Sequence, residues 1–280
     1  MAVEFLARAL YIRIMPEQII TETPCHPPAH ESASGEGVRG NIREFWHEWR
    51  TLILFLVVMM IFRSAIADWH PVPTGSMKPT IIEGDRVVVN KLAYDLKLPF
   101  TTWHLAEWSE PQRGDIITFY SPKDEQRLIK RVIGVPGDVV ELQNNQLYLN
   151  GTGASYGELD PAIANQLDIN LRRYNQLLVE QVDGLAYPVM VDKKRSYARS
   201  NLAPLPVPQG FYLVLGDNRD NSADSRMIGL IARDRITGRA HTVAFSVDYE
   251  DYYLPRKDRF IHSLTYHNPD ELNRVEPTQH

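Results

Sequence analysis

The sequence predicts a mainly β protein: a membrane-anchored β-barrel or sandwich core with an inserted cap lobe, preceded by one N-terminal transmembrane helix. Three observations predict it. Short runs rich in branched and aromatic residues recur at Arg86 to Asn90, Asp115 to Tyr120, Leu128 to Val135, Val139 to Leu142, Gln146 to Leu149, Phe211 to Leu215 and His241 to Val247, with turn residues between them. Asn144-Asn145 separates two alternating runs, as a two-residue hairpin turn would. An unbroken apolar stretch, Leu52 to Phe62, stands ahead of all of them. Nothing repeats at a fixed period, which excludes solenoids and propellers.

Residues 1–50 divide in two. Residues 1–15 are apolar but carry Glu4, Arg8 and Arg13, the pattern of an amphipathic surface helix too short to cross a bilayer. Residues 16–42 collect prolines, glycines and serines with few large apolar groups, as a flexible tether does. Residues 51–67 are the expected anchor: Leu52 to Ala67 spans about 24 Å as a helix, close to a hydrocarbon core of about 30 Å. Phe45, Trp46, Trp49 and Trp69 flank it as interfacial aromatics, and Arg63 can snorkel. Arg39, Arg43 and Arg50 precede it while no basic residue follows before Lys78, which places the N-terminus in the cytoplasm and residues 68–280 outside. Ser64 to Ala67 imitates a signal-peptide cleavage site, but a 50-residue leader is too long for one, so the span reads as an uncleaved anchor. Beyond it, residues 68–141 and 210–250 are expected to form the β core and residues 251–280 a C-terminal tail. Residues 142–209 read as the inserted lobe, because helical periodicity concentrates at 158–182.

The 280 residues are 44% hydrophobic and 23% charged, which excludes a disordered chain. Thirty basic against 35 acidic side chains give a formal charge of −5, so no excess of positive charge exists to hold nucleic acid. The lone Cys25 cannot close an intramolecular disulfide or build a cysteine-rich zinc site, and no cofactor or metal is expected.

Three segments carry candidate chemistry. In Pro71-Val72-Pro73-Thr74-Gly75-Ser76-Met77-Lys78-Pro79-Thr80, prolines and glycine would hold Ser76 on stiff, irregular backbone, which suits a nucleophile but equally suits a linker leaving the membrane. A nucleophile needs a base. Of nine histidines, His70 and His241 are placed to serve, but neither sits in a distinctive motif. Lys130 offers a different base: alternation puts Leu128, Lys130 and Val132 on one strand face, and burial of that face would desolvate the amine and disfavour its charged form. The alternative is an edge strand with Lys130 in water. The third segment, Gly216 to Arg226, resembles a calcium loop at Asp220, Ser222 and Asp224, but Ser225 stands where that loop needs glycine and Ile231 where it needs glutamate. Asp217, Arg219, Asp220, Asp224 and Arg226 are instead expected to form a charge and hydrogen-bond network beside the site.

Together these segments resemble bacterial signal peptidase I, the membrane-bound Ser/Lys protease family, over most of residues 50–245. The boxes are Thr74 to Thr80, Lys130 to Asp138 and Gly216 to Arg226, with a further family-like stretch at Gly84 to Lys91. The resemblance implies that Ser76 is the nucleophile and Lys130 the general base, with no histidine or metal taking part. It implies an oxyanion hole from the Ser76 N–H and the Thr74 hydroxyl, with Ser222 hydrogen-bonding the Lys130 amine and Asp224 and Arg226 bracing that loop; Arg131 and Asp217 fall in the same boxes as further support. The implied partners are signal-peptide-bearing preproteins cut after Ala-x-Ala, together with membrane lipid. The implied location is the bacterial inner membrane, single-pass, with the catalytic domain on the periplasmic side. A self-cleaving repressor-type Ser/Lys protease and a non-catalytic anchored β module are the alternatives.

Overall fold

The computed structural model describes residues 49–60, 67–97, 104–194, 198–249, 252–265 and 272. The expected surface helix and tether, Cys25, Phe45 and Trp46, the orienting Arg39 and Arg43, and the side chains of Trp69 and His70 lie outside the described residues. Residues 49–60 form a helix, α1, on which Leu52, Leu54, Phe55, Leu56, Val57, Val58, Met59 and Met60 are exposed. Among the described residues no helix is long and apolar enough to cross a membrane; residues 61–66 lie outside the described set. Ala67, expected as the last residue of the anchor, instead pairs with Asn90 in a sheet.

The strands of the first part are β1 (Ala67–Pro71), β2 (Asp85–Asn90), β3 (Asp95–Lys97), β4 (His104–Glu107), β5 (Ile116–Tyr120) and β6 (Arg127–Gly134). Then come β7 (Val139–Gln143), β8 (Gln146–Leu149), β9 (Thr152–Gly153), β10 (Ser155–Glu158), β11 (Asn175–Val182), β12 (Leu185–Asp192) and β13 (Leu202–Pro206). The last are β14 (Phe211–Leu215), β15 (Ile231–Ala232), β16 (Ile236–Asp248), β17 (Leu254–Pro255) and β18 (His262–Ser263). The main sheet runs β1-β2-β16-β5-β6-β14-β15, with β17 and β18 also paired to β16. That path is open, so the described strands form no closed barrel. Smaller sheets β13-β7-β8-β9 and β10-β11-β12 come from the middle of the chain.

Local chemistry accounts for the turns. Asn144 and Asn145, at φ 50° and 65°, take the left-handed conformations that join β7 to β8 in register. The helical segment expected at 158–182 is only partly helical. Helices α2 (Pro161–Ala164) and α3 (Ile169–Tyr174) are short, capped by Asp160 and Asp168, and residues 175–182 are strand β11. Asp183-Gly184, both at positive φ, closes the β11–β12 hairpin and overrides the helix-like spacing of the leucines. The tail expected at 251–280 is partly structured: β17 and β18 pair with β16, and Leu264 and Leu272 are buried.

Two apolar clusters flank the strand that carries Lys130. Val72, Met77, Ile81, Val87, Val89, Ile116, Ala240, Val243 and Leu264 pack together, with Ile129 against them. Ile117, Phe119, Val132, Tyr212, Val214 and Ile236 form a second cluster. β5 pairs with β6 from Arg127 to Arg131, while β14 pairs with it only from Arg131 to Gly134, so residues 127–130 have a strand on one side alone.

Candidate active site

The Pro71–Thr74 segment is followed by a single 3-10 turn, Gly75–Met77, with Thr74 extended at its N-terminus (φ −128°, ψ 146°). Ser76 and Met77 are buried, while Thr74 is exposed and its side chain makes no capping bond. The N–H groups of such a first turn have no acceptor within the turn. Its carbonyls are engaged: Asn218 Nδ2 donates to Gly75 O at 3.0 Å and Asn218 N to Ser76 O at 3.1 Å. Gly216 lets the 216–226 loop come this close, since a Cβ there would lie 2.6 Å from Ser76 O and 2.2 Å from Ser222 Oγ.

Lys130 lies on β6 opposite Ile117, and only 2% of it is exposed. Its Nζ reaches Ser76 Oγ at 2.7 Å and donates to Ile129 O at 2.8 Å. Burial is the main cause that lowers its pKa from 10.5 to about 8, against the opposing pull of the Asp224 and Asp217 carboxylates. Its burial excludes the reading of Lys130 as a solvated residue, although β14 does not reach it and the strand is unpaired there on that side. No histidine among the described residues bonds to either side chain, and His241 is itself held below its ordinary value by burial and by Arg239.

Of the five charges expected to form one network, Asp224 and Arg226 pair with each other, while Asp217, Arg219 and Asp220 reach partners outside the loop. Arg131, next to Lys130, donates to both oxygens of Asp217 at 2.8 and 2.7 Å and to Gly114 O, and its guanidinium lies 4.6 Å above the Tyr187 ring. Thr80 hydroxyl also donates to Asp217. Asp224 accepts from Gly216 N at 3.0 Å and from Arg226 Nε at 2.8 Å, while Arg226 spans to Arg199 O and Arg219 O. Burial alone would push the Asp224 carboxyl up, but Arg226 holds it below the usual carboxylate value. Asp220 fixes Asn145, Ser200 and the Asp192 N–H. One expectation fails. Ser222 Oγ is buried beside Asp224, whose carboxyl its hydroxyl helps to hold down, and it does not meet the Lys130 amine, whose bonds run to Ser76 and Ile129.

Sequence reasoning missed two buried ion pairs. Arg219 donates to Glu180, which also accepts from Tyr156 and Tyr187 at 2.6 Å each. Arg259, from the expected tail, donates to Asp85 and to Thr80 O, four residues after the nucleophile candidate. A charged residue alone gives no sign of its partner; the local strand signal there is the Asp183-Gly184 turn that follows the branched residues Val179 and Val182.

The family model described as "Signal peptidase, peptidase S26" matches residues 46–245, most of the chain. The chain belongs to this signal peptidase family. Among curated relatives, signal peptidase I of Pseudomonas fluorescens is 32% identical over 203 residues, covering 68% of this chain and 69% of that one. Signal peptidase I of Aquifex aeolicus is 32% identical (70% and 82% covered), and that of Rickettsia bellii is 34% identical (71% and 73%). A crystal structure of a signal peptidase I from Enterococcus faecalis V583 matches 47% of this chain and 97% of that one at 34% identity with a TM-score of 0.30. The signal peptidase match contains Thr74, Ser76, Lys130 and the 216–226 loop, and it ends before Arg256 and Arg259.

Proposed function

We propose that Ser76 and uncharged Lys130 form the catalytic dyad of this signal peptidase and that the enzyme cuts after Ala-x-Ala. The chain is a serine endopeptidase that removes signal peptides from preproteins. The reading is carried by one observation, the 2.7 Å contact between Ser76 Oγ and a lysine amine shut away from water. When the amine is uncharged, the Ser76 hydroxyl donates to its lone pair. Attack on the scissile carbonyl then passes the proton to Lys130, which returns it to the leaving amine as the acyl-enzyme forms. Lys130 next takes a proton from the water that attacks the ester and passes it to Ser76 Oγ as the ester C–O bond breaks, which frees the acid product and restores the neutral amine.

The tetrahedral oxyanion is held by the Ser76 N–H and the exposed Thr74 hydroxyl, each donor of this kind being worth about 3 kcal/mol. Arg131, Asp217, Asp224 and Arg226 keep the strand and loop in place, and Ser222 lies under Gly216 beside Asp224. β14 pairs with β6 only from Arg131 to Gly134, so on that side residues 128–130 can add an extended peptide as a further strand. The main sheet is taken as the core (68–141 and 210–250) and the β10-β11-β12 sheet and the β8, β9 and β13 strands as the inserted lobe (142–209), with β7 carrying the chain from one to the other.

The enzyme is membrane-associated, and we assign the anchor to the segment beginning with exposed apolar α1, with the N-terminus cytoplasmic and the core on the periplasmic side. Tyr249, Tyr252, Tyr253, Leu254, Phe260 and Ile261, exposed around β17, are the residues that would enter the headgroups. The test uses purified protein in detergent and a preprotein whose signal ends in Ala-x-Ala. Cleavage after the second Ala is expected, and Ser76→Ala and Lys130→Ala abolish it; unchanged cutting by either variant overturns the dyad.

A further inference from the structure

The 3-10 turn bearing Ser76 is gripped on two sides, by Asn218 on its carbonyls and Lys130 on the serine hydroxyl. Its third side is covered by an ion pair that the chemistry above does not use. Lys78 Nζ and Glu83 Oε2 are 2.6 Å apart, and they lie against Gly75, the residue between the two oxyanion-hole positions. A Cβ on Gly75 would sit 2.6 Å from Glu83 Oε1 and 3.0 Å from Lys78 Cε.

Glu83 cannot retreat through its backbone. Its carbonyl accepts from Arg256 at 3.0 Å, and the next residue, Gly84, is pressed against Val247 O, which a Cβ there would approach to 2.0 Å. Lys78 is tied to the same turn by its N–H, which donates to Gly75 O at 3.2 Å. The pair forms one wall of an open groove of about 550 Å³ that Ile82, Leu167, Asp168 and Arg256 also line, so solvent and ions reach it.

We propose that the Lys78–Glu83 ion pair is a positioning device, pressing on Gly75 so that the Thr74 hydroxyl and Ser76 N–H stay aimed at the developing oxyanion. The inference rests on reading Ser76 as the nucleophile. A partly exposed pair adds little to stability, so its contribution is to geometry. A misplacement of about 1 Å in such a site can cost about 100-fold in rate. Gly75 then acts through the pair: a methyl group there can be accommodated only by pushing the Glu83 and Lys78 side-chain ends apart.

The experiment measures kcat, KM and thermal midpoint for Lys78→Met, Glu83→Gln, Gly75→Ala and the Gly75→Ala/Glu83→Gln double variant, with Ser76→Ala and Lys78→Arg as controls. Each of the three single variants is expected to lower kcat about tenfold with KM and midpoint unchanged. The double variant should be no worse than Gly75→Ala alone, and Lys78→Arg should keep most of the rate. Three results overturn the proposal: kcat near wild type in Lys78→Met and Glu83→Gln, multiplying losses in the double variant, or losses that follow KM or the midpoint. Activity retained by Ser76→Ala would instead sink the nucleophile assignment, whatever the pair does.

Discussion

Replacing Lys130 by methionine should inactivate the enzyme and make it more stable at neutral pH. Burial holds the amine at about 8 in the folded chain, against 10.5 for the exposed side chain. Below pH 8 both folded and unfolded chains carry the proton, and the fold bears the whole cost of a buried ammonium. Between about 8 and 10.5 only the unfolded chain holds it, so stability rises with pH across that window and levels off above it. The gap corresponds to about 3 kcal/mol. Methionine matches the length of the side chain and removes that cost at every pH, but it forfeits the bonds to Ser76 and Ile129, about 1 kcal/mol or less each. The net gain for Lys130→Met at pH 7 is therefore about 1–2 kcal/mol, and the advantage should reverse near pH 10.5. Urea unfolding in a nonionic detergent, followed by tryptophan fluorescence from pH 7 to 10.5, reads the difference. A difference that stays constant with pH, or a variant less stable at pH 7, would refute the reasoning.

Two further substitutions separate rate from stability. Thr74→Val keeps the branched shape and deletes the exposed hydroxyl, and steady-state cleavage should show kcat lower by about 100-fold with little change in KM, while Thr74→Ser keeps most of the rate; a kcat within twofold of wild type contradicts the oxyanion assignment. Glu180→Gln leaves the fully buried Arg219 guanidinium unneutralised and should cost about 3–5 kcal/mol in urea unfolding; a loss under 1 kcal/mol would mean that this pair does not hold the 216–226 loop to β11.

The strands that build the site were legible because each carries its own alternation, as in Asp85, Val87 and Val89 of β2, and because Asn144-Asn145 marks a turn locally. Ser76 and Lys130 were legible for a similar reason: each stands in a short box whose neighbours define it. What failed depended on distant partners. Leu171, Leu177 and Leu178 fit a helical spacing until Asp183-Gly184 brings Leu185–Asp192 back to pair with Asn175–Val182. Arg259 and Asp85, 174 residues apart, meet only once the chain has folded, so a segment read as a tail proves to support Thr80. Ser222 carries the opposite lesson: a hydroxyl in a matching box was expected to bind the amine, but the fold places it beneath Gly216 and turns it to Asp224.

The central claim, an uncharged lysine acting on Ser76, is tested most directly by the pH dependence of kcat/KM for a preprotein. The acid limb should titrate at about 8, so that the rate at pH 9 is about tenfold that at pH 7. An acid limb near 6.5, the ordinary value for histidine, or a rate flat from pH 7 to 9, would contradict it.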